Sequence, residues 1–143
     1  MQELSELNER ELAIWLACAL DTEGSILLYQ TTTITPRIVI YNNNLDFMNF
    51  ANQAIEKLTR KTCKIKMYKW SQAPEHWKPE YKIELSDWDS ILDFLSQTVP
   101  FLVAKKTKAN ILLQLASVHK KGTWTKQDFL LAKQFKEVVS FDA

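Results

Sequence analysis

A chain of 143 residues, 46% hydrophobic and 24% charged, can bury one sizeable core and falls within the size of a single domain, here taken as residues 1–143. Its two cysteines, Cys18 and Cys63, match no paired metal-ligand spacing, which excludes a disulfide framework and a zinc site of that kind. Met1 to Arg10 is acidic and polar, and no apolar run approaches the roughly 18 residues of a membrane span, so an intracellular chain without signal or anchor is expected.

The net charge of +1 argues on its own against nucleic acid, but the charge is unevenly spread. Between Arg60 and Lys82 seven basic residues face only Glu75 and Glu80, whereas between Met1 and Glu23 six acids face only Arg10. One basic face and one acidic end follow. The lysines serve either to solvate exposed strands or to meet phosphates.

Asn8 followed by Glu11 has the form of a capping box and predicts a helix from about residue 8 to Asp21. Its middle is apolar on every side, and Ala13, Ala17, Cys18 and Ala19 are small. Either the core wraps this helix fully or a second copy packs alongside it. Ser25 to Ile34 is rich in β-branched and apolar residues and predicts a strand. A turn at Thr35-Pro36 then returns the chain through Arg37 to Tyr41. Asn42-Asn43-Asn44 supplies turn and cap chemistry for a helix from about Leu45 to Thr59.

Two further strands are expected over Thr62 to Trp70 and Glu80 to Leu85, the first with Lys64, Lys66 and Tyr68 alternating against Cys63, Ile65 and Met67. Ser86 with Asp89 opens a helix through Leu95, and Pro100 breaks the helical run. A longer helix over about Lys105 to Lys120 stops at Gly122, and Thr125 with Asp128 caps a last one reaching about Val138. The order αββαββ followed by helices is an α+β arrangement.

Leu16-Ala17-Cys18-Ala19-Leu20-Asp21-Thr22-Glu23-Gly24 resembles the nine-residue LAGLIDADG motif, and it leads directly into a strand hairpin. Val99-Pro100-Phe101-Leu102 with Lys105 through Asn110 resembles the proline, apolar, lysine-rich start of a later helix in the same family. Two positions depart from its pattern. Cys18 stands where the family has Gly, which widens the closest helix–helix approach, and Glu23 replaces Asp while keeping the carboxylate.

The resemblance implies the αββαββα homing-endonuclease fold, with a four-stranded antiparallel DNA-binding sheet and extra C-terminal helices. A single motif copy implies a homodimer through the motif helix, with Leu16, Ala17, Cys18, Leu20 and Asp21 at the interface. The implied activity is metal-dependent cleavage of both strands of a long, near-palindromic double-stranded DNA site, with no small-molecule substrate and no membrane partner. Hydrolysing a phosphodiester needs an activated water and charge stabilisation, which a divalent ion on a carboxylate provides. Glu23, with Thr22 beside it, is the expected Mg²⁺ site, Mn²⁺ substituting. Two Glu23 carboxylates about 5 Å apart across a dimer would repel by roughly 3 kcal/mol at an effective dielectric near 20, a strain that metal relieves.

By the same resemblance Asp21 fixes the interface near the partner's helix N-terminus, and Lys105 lies near the scissile phosphate, the alternative being a plain surface lysine at a helix start. Asn43, or Asn42, orders water in the site or serves the turn. Gln30, Thr32, Arg37 and Lys64 are candidates to meet the major groove, joined by Lys66, Tyr68, Lys69 and Lys82, with Arg37 suited to guanine and Gln30 to adenine. A non-cleaving nucleic-acid-binding protein, such as an RNA maturase or a regulator, would keep the fold without the reaction. An α+β interaction protein would use the apolar helix as a seam alone and lack salt-sensitive DNA affinity.

Overall fold

The computed structural model describes residues 6–68, 75, 79–120 and 122–138. The elements run α1 (Glu9–Glu23), β1 (Gly24–Gln30), β2 (Ile34–Asn42), α2 (Leu45–Thr59), β3 (Lys66–Tyr68), β4 (Glu80–Leu85), α3 (Trp88–Thr98), α4 (Lys106–His119) and α5 (Lys126–Glu137). A 3-10 turn over Val99–Phe101 follows α3, with Pro100 inside it.

The caps fix where the helices begin. Asn8 and Glu11 exchange backbone N–H bonds of 2.8 and 3.1 Å, which completes the capping box of α1. Asn44 caps α2 through the Phe47 N–H, and Thr125 with Asp128 forms the box of α5. α1 runs to Glu23, two residues beyond the predicted end at Asp21. α3 starts at Trp88 because Asp87, and not Ser86, accepts from the Ser90 N–H.

The four strands form one antiparallel sheet in the order β1-β2-β4-β3. The first hairpin turns at Thr31 to Thr33, so Thr35 and Pro36 lie inside β2 and not at its turn. Pro36 pairs with Leu28 on one side, while β4 pairs with β2 only from Ile38 onward. A missing N–H is tolerated where no strand lies on that flank. β3 is shorter than predicted, since residues 61–65 have no ladder partner and residues 69–70 lie outside the described residues.

Strand alternation gives the sheet two different faces. Ile26, Leu28, Ile34, Ile38, Ile40, Ile83 and Leu85 are buried under the helices, in one core with Leu12, Leu16 and Leu20 of α1, Met48 and Ile55 of α2, Ile91 and Phe94 of α3, and Leu112 of α4. Trp15 packs its indole 5.0 Å from the Phe47 ring and 4.7 Å from that of Phe50, which joins α1 to α2. The opposite face carries Leu27, Tyr29, Arg37, Tyr41, Lys82, Glu84 and Lys66 by register.

Candidate nucleic-acid interface and carboxylate site

Gly24 joins α1 to the sheet with no intervening loop, being both the C-cap of the helix and the first residue of β1. A Cβ there would sit 2.9 Å from the Val39 carbonyl oxygen and 2.6 Å from Leu20 Cδ1, so only glycine lets the two elements approach this closely. Glu23 is thereby set at the end of the sheet, with its side chain exposed. With Asn42, Asn43 and Glu80 it lines an open polar hollow of about 410 Å³. Asn42 accepts from the Asn44 N–H at 2.8 Å and so shapes the turn, and Asn44 is the cap of α2. Asn43 takes neither task and faces the hollow.

Glu80 is a site residue that sequence reasoning missed. It is the first residue of β4, paired with Tyr68, and lines the same hollow as Glu23 only because β4 lies beside β2. Thr22 does not line the hollow: its hydroxyl donates to the Cys18 carbonyl oxygen at 2.8 Å, back along its own helix. Side-chain oxygen dominates the hollow's donors, a set suited to a hard divalent cation. Among the described residues no group of three or more His, Cys, Asp or Glu comes together, so one chain offers a partial shell, open to water and to a substrate's oxygens.

Two expectations need correction at the C-terminal end of α1. Asp21 serves its own chain: its carboxylate accepts the Val103 N–H at 2.7 Å and the Lys105 N–H at 3.0 Å. An anion there faces the start of α4, where unsatisfied N–H groups favour it. Lys105 is only 2% exposed and donates from Nζ to the Asp21 carbonyl oxygen at 2.8 Å. Its ammonium is therefore turned to the carbonyl end of α1 and not outward to a phosphate, a placement the helix dipole favours.

The face of α1 left open also differs from the one expected. Leu16, Ala17 and Leu20 are fully buried within the chain and have no surface to give a partner. Arg10, Ile14, Cys18 and Thr22 are exposed at four-residue spacing and form the available stripe. Val103, 84% exposed, lies beside this end of the helix through its bond to Asp21.

On the open sheet face Lys66 stands directly opposite Lys82. Like charges in that relation repel, and an anion laid across the face relieves them. Arg37 lies on the same face, its guanidinium carbon 5.2 Å from the centroid of the Tyr29 ring. Gln30 does not join them: it pairs with buried Ile34 and falls on the helix side of β1, so Tyr29 occupies the place expected of it. Thr32 is exposed at the hairpin tip, and Lys64 is exposed ahead of β3. Tyr68 pairs with Glu80 by its backbone, whereas Lys69 lies outside the described residues. No helix among the described residues is long and apolar enough to cross a membrane.

No protein-family model and no curated protein matches the sequence. Solved structures do match. The archaeal intron-encoded homing endonuclease I-Vdi141I, complexed with DNA, superposes with a TM-score of 0.64 at 16% identity over 91% of this chain and 85% of its own. The homing endonuclease I-CvuI, in complex with its target in the presence of Ca, gives 0.56 at 14% identity over 90% and 92%. The LAGLIDADG homing endonuclease I-GzeII, in complex with its DNA target, gives 0.56 at 10% identity over 86% of this chain but 42% of its own. The chain has the fold of these homing endonucleases.

Proposed function

We propose that the protein is a site-specific, divalent-metal-dependent DNA endonuclease that cuts both strands of a long, near-palindromic site as a homodimer. The observation that carries this reading is the position of Glu23, exposed in a polar hollow at the end of an open basic sheet face on a homing-endonuclease fold.

Glu23 is the residue to hold the ion, with Glu80 and Asn43 as further oxygen donors in the same hollow. Mg²⁺ suits such a set, with Mn²⁺ as a substitute, because Mg²⁺ keeps several waters and shares phosphate oxygens. When bound, the ion supplies Lewis acidity and a more acidic water. The chain's own part is orientation. Gly24 fixes Glu23 relative to the sheet, Asp21 and Lys105 fasten the end of α1 to α4, and Lys66, Lys82 and Arg37 draw the DNA onto the face. Lys105 acts here as a positioning residue.

The dimer reading rests on the exposed stripe Arg10, Ile14, Cys18 and Thr22 along α1. Two copies about a two-fold axis bring two Glu23 side chains together and demand symmetric half-sites.

The test is a cleavage selection on randomised duplex DNA with Mg²⁺, sequencing the new ends, with Glu23→Gln and Ca²⁺ in place of Mg²⁺ as controls. Cut ends should converge on one near-palindromic site for the wild type alone. Undiminished cleavage by Glu23→Gln would falsify its assigned role. Buried Lys105 favours a second reading, a non-cleaving DNA- or RNA-binding protein on the same fold, because its ammonium is not offered to a phosphate. Salt-sensitive binding without any cutting would select that reading.

A further inference from the structure

We infer that Glu84 is a specificity-determining residue: it fixes the Arg37 side chain so that its terminal nitrogens meet one guanine in each half-site. This rests on the DNA-binding function proposed above. An acid on a face that meets phosphates weakens attraction to the backbone. Its presence calls for another role.

Glu84 lies opposite Val39 and diagonal to Arg37 on the open face. Its Oε1 is 2.9 Å from Arg37 Nε and its Oε2 is 3.8 Å from Lys82 Nζ, with the Glu84 side chain only 20% exposed. The Arg37 Nε atom is buried and its N–H is not aimed at Oε1 well enough for a hydrogen bond, so the hold is an ion pair by distance. The second restraint is the Tyr29 ring under the guanidinium. The Arg37 side chain nevertheless keeps 40% exposure. With Nε buried and one face on Tyr29, the terminal Nη edge is the polar part left for a ligand. A planar pair of N–H donors matches O6 and N7 of guanine in the major groove. An arginine already held in one rotamer loses less freedom on binding than a mobile one.

The competing explanation is charge balance, with Glu84 offsetting the mutual repulsion of Arg37, Lys82 and Lys66. Charge balance changes affinity and salt dependence but leaves base preference intact. The two part company in a binding selection on randomised duplex DNA, run on the whole protein with Ca²⁺ and sequencing the retained strands, for wild type, Glu84→Gln and Arg37→Lys.

Wild type should select guanine at one symmetric pair of positions. Glu84→Gln should weaken that preference on the order of tenfold while leaving other positions unchanged and raising non-specific affinity. Arg37→Lys, which keeps the charge and removes the fork, should erase preference at the same positions. Full guanine preference in Glu84→Gln, where Arg37→Lys has lost it, reduces Glu84 to charge balance. An unchanged selected site in Arg37→Lys overturns the assignment of the guanine reader itself. A wild type that selects no sequence refutes the function proposed above and this inference with it, an outcome distinct from either variant result.

Discussion

Replacing Asp21 by alanine removes a carboxylate that accepts two backbone N–H groups from the segment leading into α4. The bond from Lys105 N–H is partly shielded from water, and a charge-assisted bond of that kind is worth about 1.5–3 kcal/mol. The bond from Val103 N–H is exposed, and water replaces it at a cost of about 0.5–1 kcal/mol. Asp21→Ala should therefore lose about 2–4 kcal/mol, or a fall in Tm of roughly 6–15 °C for a domain of this size. Asp21→Asn keeps one acceptor oxygen and should lose about half as much.

Urea unfolding followed by far-ultraviolet dichroism reads the loss as a shift in midpoint at constant m-value. Because both bonds lie within one chain, the loss should be the same at high and low protein concentration. A loss below about 0.5 kcal/mol would show that the carboxylate holds nothing. A loss that grew with protein concentration would put Asp21 at the dimer interface after all.

Gly24→Ala forces a methyl against the Val39 carbonyl oxygen, backbone that cannot yield locally. It should destabilise by about 1–3 kcal/mol, and a melting temperature equal to wild type would contradict the contact. Asp87 gives a pH dependence: burial would raise its carboxyl, but hydrogen bonds from Lys61 and Ser90 and the Lys61 charge hold it below the usual range. A depressed native pKa stabilises above the unfolded value of about 3.9 and is lost as pH falls through the native one. Unfolding from pH 6 to pH 2 should thus be less steep for Asp87→Asn, and parallel curves would discount the ion pair. Cys63 is buried, its thiol pushed up by burial, then lowered in part by Lys61 and raised again by Asp87, whereas Cys18 is exposed. A thiol reagent should modify Cys18 alone in dilute native protein, with protection as the protein concentration rises. Equal reactivity at all concentrations argues against the α1 stripe as the dimer seam.

What was legible in the sequence was local. The caps at Asn8, Asn44 and Thr125 lie next to the elements they start, so helix starts followed from neighbouring residues. The place of Glu23 at the end of α1 was legible because its motif is contiguous. The hairpin turn was misjudged, since a run of threonines reads as strand and a proline as turn, and only the limited reach of β4 along β2 lets Pro36 sit in a strand. Gln30 was assigned to the open face although alternation with buried Ile26 and Leu28 puts it on the helix side of β1. Glu80 and Glu84 were not legible as site residues, because strand order brings β4 beside β2 and no spacing along the chain encodes it. Lys105 misled for a related reason: a basic residue at a helix start normally looks outward, and its burial depends on the carbonyl end of α1 lying above it.

The absence of a loop between α1 and β1 makes the junction at Gly24 a ruler. The acid and β1 belong to one unbroken segment, and β2, β4 and β3 are bonded to β1 in turn, so under the proposed function the spacing from recognised base to attacked phosphate cannot drift as side chains on the face change. Substitutions along the strands would alter which sequence is chosen and leave the phase of the break within it untouched. One residue inserted at the junction would do the reverse, keeping the chosen sequence and putting the break out of step with it.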